Sequence, residues 1–241
     1  MPINWAAIYM TTSTTFPASL KNKLIVSCQA FPGDPLDHTD TLRRMALSVL
    51  RGGAGGLRAN GAESIAAFRR ETSLPIIGIF KRFETDRPNI TPDFASAQLI
   101  SDVGADVIGL DCSAGRPESS EPWLPLLSRV QQELRRPVLA DIATFNEARA
   151  AEQAGANAVA TTMYGYTPST AGQRAVNWEL VEQLAKSLSI PVIVEGHVRQ
   201  PEEVRRALNL GAFAVVVGAA ITHPEAITAR FVAGIETNLA G

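Results

Sequence analysis

Eight short apolar runs, each parted from the next by a longer polar stretch, constrain this chain more than any other feature. They are LIVSCQ (24–29), GGLRA (55–59), IIGIFK (76–81), VIGLDC (107–112), VLADI (138–142), AVATTM (158–163), VIVEG (192–196) and AVVVG (214–218). Near-continuous hydrophobicity without alternation marks strands covered on both faces, and helix-length gaps require parallel crossovers. The segments 61–71, 92–103, 144–155, 178–188 and 201–211 carry apolar residues at i, i+3, i+4 spacing and read as the helices. Thr144 and Glu147 form a capping box, Pro92 and Pro201 suit first helical turns, and Gly104, Gly155 and Gly211 suit C-termini. Each of those glycines opens a "GA" that leads into the next run, an echo of one βα unit. An open doubly wound sheet uses similar units, but no G-x-G-x-x-G follows the first run, and eight units in about 200 residues fit closure. The expected fold is an α/β (βα)8 TIM barrel of the phosphate-binding type over residues 24–241, a single domain preceded by a flexible or loosely helical leader, 1–23.

Composition narrows the partners. The formal net charge is −2 over 241 residues, 46% hydrophobic and 19% charged, and no Lys/Arg block is interleaved with aromatics. Nucleic-acid and membrane binding are therefore disfavoured, and a small-molecule partner is expected. No segment reads as a signal peptide or a membrane span. Cys28 and Cys112 sit in apolar runs, as reduced structural thiols of a cytoplasmic protein would, and two cysteines supply no metal cluster.

In such barrels the chemistry lies where strands end. The run ends deliver Gln29, then Arg58 with Asn60, then Lys81 and Arg82, Asp111, Asp141, Thr161 with Thr162, Glu195 with Gly196, and Gly218. Any one of these reads equally well as a rim ion pair or a side chain reaching for water, but the set as a whole is a poor choice for stability alone and forms a convergent polar site. Lys81 and Glu195 end strands three and seven, four apart in a ring of eight, so an amine and a carboxylate face each other across the mouth. Burial with the cations Arg82 and Arg58 nearby lowers the lysine's proton affinity, which suits a base and equally a Schiff-base amine. Small residues at Gly196, Gly218 and Ala219, with His197 and His223 flanking them, suit phosphate held after strands seven and eight. The stretch 163–177 is long for a strand-to-helix connection and reads as a partial lid, with Tyr166 and Thr161 as candidate substrate contacts. His38, in an acidic loop, is expected to be solvated.

The motifs LIVSCQA, GLRANG, PIIGIFKR, ITP, GADVIGLDC, LADIAT, TTMYGYT, PVIVEGHV and GAFAVVVGAAITHP resemble, in order and spacing, the N-acetylmannosamine-6-phosphate 2-epimerases over residues 24–233. That resemblance implies interconversion of N-acetylmannosamine 6-phosphate and N-acetylglucosamine 6-phosphate, a step in bacterial use of sialic acid and amino sugars. It implies no cofactor and no metal, and a homodimer. It also implies Lys81 as the acid/base at C2, Glu195 as the assisting carboxylate, and Gln29, Arg58 and Asp141 as substrate contacts, with backbone near Gly196 and Gly218 on the phosphate. The chain departs from the family pattern at His197 and His223, where arginines are usual, and at the strand-four end, DCSAGRP, which leaves the role of Asp111 open. Arg199 and Arg230 are candidates to replace the missing cations. Two rival readings stand beside the epimerase: a Schiff-base lyase or aldolase of a keto-acid sugar phosphate, and a non-catalytic sugar-phosphate-binding protein.

Overall fold

Each of the eight runs is a strand. In the computed structural model, which describes residues 14–83 and 89–236, they are β1 (Leu24–Cys28), β2 (Gly56–Asn60), β3 (Ile76–Ile79), β4 (Val107–Asp111), β5 (Val138–Asp141), β6 (Ala158–Ala160), β7 (Val192–Glu195) and β8 (Ala214–Val217). Every neighbouring pair is parallel and the ring closes between β1 and β8, with Leu24 opposite Val215 and Val26 opposite Val217. Strands are buried on both faces, which is why their sequences show no alternation. The fold is the expected (βα)8 barrel.

Seven helices follow the first seven strands: α1 (Thr39–Arg51), α2 (Ala62–Arg69), α3 (Phe94–Asp102), α4 (Trp123–Glu133), α5 (Phe145–Gln153), α6 (Trp178–Ser187) and α7 (Pro201–Asn209). After β8 come a single-turn α8 (Ala219–Thr222) and the longer α9 (Pro224–Glu236). Local chemistry sets their ends. The Thr144–Glu147 capping box closes on itself at the start of α5, and Pro201 is the first residue of α7. Gly104, Gly155 and Gly211 take φ of 110°, 91° and 99°, the left-handed turn that lets the chain leave a helix and enter the next strand. Pro92 is not in a first turn as expected. Asp93 caps α3 instead, its carboxylate accepting from the Ser96 N–H at 2.8 Å, and helix starts one residue later. His38 is exposed but not idle: it is the N-cap of α1, Nδ1 accepting from the Asp40 N–H at 3.2 Å.

The expected leader divides. Residues 1–13 lie outside the described residues, whereas the part from 14 onward packs tightly. A 3-10 turn, Ala18–Leu20, drives Leu20 to complete burial beside Phe16, and both join Ile25, Ile77, Val107, Leu139, Ile193 and Val216 inside the end of the barrel where strands begin. Phe16 also meets Phe213 edge-on, ring centroids 5.8 Å apart. One further element had no apolar signature to announce it: Lys81–Arg82 pairs antiparallel with Asn89–Ile90, a two-residue hairpin standing above β3. Among the described residues no helix is long and apolar enough to cross a membrane.

Candidate active site

At the end where strands finish, the barrel opens into a cavity of about 540 Å³ lined by Ser27, Gln29, Phe31, Lys81, Ile90, Thr162, Met163, Tyr166, Glu195, Gly196 to Arg199, Gly218 to Ala220, His223 and Arg230, among others. Every strand-end residue placed on Lys81, Glu195, Gln29, Gly196, Gly218, Ala219, Tyr166 and His223 therefore reaches one space. Arg58 and Asp141 do not line it.

Those two form its ionic underlayer. Arg58 is the third residue of β2, wholly inside the barrel, 1% exposed. Its guanidinium forks onto Asp141, Nη1 to Oδ1 at 3.0 Å and Nη2 to Oδ2 at 2.7 Å, and Nη1 also donates to Glu195 Oε2 at 2.7 Å. Asp141 accepts a further bond from the Thr162 hydroxyl at 2.5 Å. One cation thus ties strands β2, β5 and β7 together across the axis, a planar fork that lysine could not reproduce. The glycine in β4 makes room: a Cβ at Gly109 would lie 2.6 Å from Ile79 Cγ2 and 3.5 Å from both Arg58 Nη2 and Asp141 Oδ2.

Above this layer the two candidate proton carriers are tuned toward each other. Burial is the largest influence on Lys81 and the Arg58 charge adds to it, bringing the amine down to about 8 against the pull of Glu195 and Asp141. Burial also raises Glu195, to about 7, in spite of the bond from Arg58, and the neighbouring Asp141 charge works in the same direction. The expected contribution of Arg82 to the lysine is absent. Its guanidinium turns outward to pair with Asp93 at the head of α3, and among the described residues the depressing cation is Arg58. Lys81 is fixed by its backbone, whose N–H donates to Asn60 Oδ1 at 2.8 Å, and its ammonium end lies 5.4 Å from the centre of the Phe31 ring.

Elsewhere the placement sharpens the expectations. The Thr161 hydroxyl is buried against the backbone of Glu195, donating to its carbonyl at 2.8 Å and accepting from its N–H at 3.0 Å. The 3-10 turn Thr161–Met163 then rotates Thr162, not Thr161, into the cavity. Asp111 stays at the buried end of β4, accepting from the Ser113 N–H and hydroxyl at 2.9 and 2.6 Å, and so shapes a loop. Tyr166 stacks on His197 with 5.5 Å between ring centroids, and Gly165 beneath them is obligatory: a Cβ there would sit 2.5 Å from Gln173 O and 2.8 Å from His197 Nε2. The stretch 163–177 closes on itself through Thr167, Ser169 and Thr170 and walls one side of the mouth. His197 and His223 each point Nε2 at a main-chain carbonyl, of Tyr164 at 3.0 Å and of Gln29 at 2.9 Å. Phe31, exposed at the rim and edge-on to both Phe83 and His223, is a cavity residue with no polar signal by which sequence reasoning could find it.

A family model described as "Putative N-acetylmannosamine-6-phosphate epimerase" matches residues 42–237. The chain is 40% identical over 219 residues to a protein of Caldanaerobacter subterraneus named "Putative N-acetylmannosamine-6-phosphate 2-epimerase", covering 90% of this chain and 92% of that one. Its structure is similar to that of the N-acetylmannosamine-6-phosphate 2-epimerase of Clostridium perfringens, with a TM-score of 0.84 and 39% identity over 89% of this chain and 93% of the other. A thiamine phosphate pyrophosphorylase of Pyrococcus furiosus, at 18% identity and a TM-score of 0.60, shares the fold alone.

Proposed function

The chain belongs to the N-acetylmannosamine-6-phosphate 2-epimerase family, and from that premise we propose that Lys81 and Glu195 are the pair that moves the proton at C2. The activity is the interconversion of N-acetylmannosamine 6-phosphate and N-acetylglucosamine 6-phosphate, an isomerase step of amino-sugar metabolism. One observation carries the assignment of the pair: an amine brought down to about 8 and a carboxyl raised to about 7 border the same cavity.

With the sugar ring open, the C1 aldehyde acidifies the C2 hydrogen. Neutral Lys81 takes that proton, the C–H electron pair becomes the C1–C2 double bond of an enolate, and protonated Glu195 returns a proton to C2 from the other face. The ammonium and carboxylate left behind are the starting state for the reverse direction. A reversible epimerase needs both states at comparable cost, which two acids of similar strength provide. Arg58 stabilises the Glu195 carboxylate from below and, with Asp141, fixes its direction. Gln29, whose buried Oε1 has no partner among the described residues while Nε2 donates to Ser27 Oγ, is suited to accept a bond from the substrate. The backbone at Gly196, Gly218 and Ala219, with His223 and the cations Arg199 and Arg230, borders the side on which phosphate would be held. We place the protein in the cytoplasm and read it as a homodimer, since α9 turns Phe231, Val232 and Ile235 outward at 75%, 46% and 63% exposure.

The deciding experiment follows N-acetylmannosamine 6-phosphate to its epimer in deuterated water. Conversion with deuterium at C2 is expected. A substrate adduct trapped on Lys81 by borohydride, or conversion without label, would overturn the assignment.

A further inference from the structure

The segment DCSAGRP departs from the family pattern, and its arginine reaches a set of main-chain carbonyls drawn from two loops. Arg116 Nε donates to Glu121 O at 3.0 Å, Nη1 to Asp111 O at 2.9 Å and Ile90 O at 3.4 Å, and Nη2 to Thr91 O at 3.0 Å and Pro92 O at 2.9 Å. A guanidinium has five N–H donors, and here they meet five main-chain carbonyls. Three of the five belong to consecutive residues, Ile90 to Pro92.

Those residues are the other arm of the hairpin that carries Lys81. Ile90 pairs with Lys81 directly and lines the cavity next to it. The Thr91 N–H donates to Phe80 O at 2.7 Å, and its hydroxyl accepts from the Phe80 N–H at 3.3 Å while donating to Gly109 O at 2.7 Å. Thr91 is completely buried with φ 47°, a left-handed conformation that a β-branched residue avoids and keeps only where its surroundings over-determine it. The bonds from Arg116 to the carbonyls on and around Thr91 supply that restraint. The backbone of Lys81 is therefore held between Asn60 on one side and Ile90–Thr91 on the other, and Arg116 anchors the second holder to the β4–α4 loop.

We infer that Arg116 is a positioning residue for Lys81, acting through Ile90 and Thr91 to keep the amine in its place above Arg58. The inference rests on Lys81 being the acid/base of the reaction. Loosening the anchor lets water reach the amine and lets it move from Arg58, and both changes raise its proton affinity. The chain has four lysines, at 21, 23, 81 and 186, so lysine labelled with 13C at Cε gives few enough signals to follow each one.

The test compares wild type with Arg116→Lys, which keeps the charge but cannot span the carbonyls, and Arg116→Gln. In both variants the Lys81 Cε titration and the alkaline limit of kcat are expected to move upward together by roughly one pH unit, with kcat at neutral pH about tenfold lower and KM within about twofold. A residue that served only the fold would lower the melting temperature and leave both titrations in place, and that result would overturn the inference. Loss of cooperative melting in both variants would overturn it equally, by making Arg116 a folding residue. The carbon titration needs no turnover, so a wild-type protein that fails to epimerise counts against the proposed function and leaves this inference to be judged on the amine alone.

Discussion

Arg58 and Asp141 meet in a two-point fork beneath the mouth of the barrel, at 3.0 and 2.7 Å, with neither side chain more than 1% exposed. Removing one member of such a pair leaves a buried charge without its partner. Arg58→Met is expected to cost roughly 3–5 kcal/mol, read as a lower denaturation midpoint. The Glu195 carboxyl, already raised by burial and now without the Arg58 charge that lowers it, would then lie further above its unfolded-state value. Stability of the variant should accordingly recover as pH falls toward the ordinary carboxylate range and be lost as pH rises above it. A variant whose deficit does not change with pH would argue that packing, not charge, is what Arg58 supplies.

The proton pair predicts the shape of the pH profile. On the proposed mechanism productive enzyme holds one proton between Lys81 and Glu195, so kcat/KM should fall below about 7, where the carboxyl and the amine are both protonated, and above about 8, where both have lost theirs. The same two limits should appear in both reaction directions. Lys81→Ala and Glu195→Ala should each lose about 10²–10⁴-fold in kcat. A Glu195→Ala enzyme with near-normal turnover would remove the carboxyl from the mechanism.

Gly109 sets the space in which the fork sits. Gly109→Ala places a methyl 2.6 Å from Ile79 Cγ2 and in contact with the ends of both Arg58 and Asp141. Overpacking of this kind costs about 1–3 kcal/mol, and here the displaced groups are the ones beneath Glu195. Thermal melts should show the stability loss, and kcat should fall with it. Stability loss with full kcat would mean that Ile79 alone gives way.

On the proposed reading of the site, His197 makes anion binding depend on protons. A carbonyl can only accept, so the Nε2 atoms of His197 and His223 carry hydrogens, and a neutral ring then offers only a lone pair at Nδ1. Each ring can donate to phosphate from Nδ1 only as an imidazolium. Burial holds the His197 ring below the usual imidazole range, with Arg199 and Arg174 adding to that effect against the bond to Tyr164 O. Sulfate, a dianion throughout, isolates the protein's titration: as a competitive inhibitor it should strengthen only as pH falls below the usual imidazole range, where His197 takes a proton. His197→Arg should flatten that dependence, and an unchanged slope would take His197 off the anion.

The barrel was legible in the sequence because strands buried on both faces write themselves as uninterrupted apolar runs, and because positive-φ glycines end three of the helices at matching points of the unit. Lys81 and Glu195 were legible for the same reason, as polar residues closing such runs. What lay beyond reach depends on side-chain direction. Arg82 follows Lys81 in the chain but points away to Asp93, because consecutive residues in an extended hairpin face opposite sides. A single 3-10 turn decides that Thr162 and not Thr161 enters the cavity. Arg116 reads as one more surface arginine until its five carbonyls, drawn from positions 90 to 121, are brought together by the fold.

Phe16 and Leu20 fill the far end of the barrel, and among the described residues the cavity opens at the end where strands finish. The two sugar phosphates are the same size and carry the same charge, differing in configuration at one carbon, and both fit the one cavity. A catalyst can hold and release two such epimers at different rates, but it cannot shift the balance between them. It speeds the approach to equilibrium and leaves the direction of flow to whichever neighbouring reaction drains one epimer first.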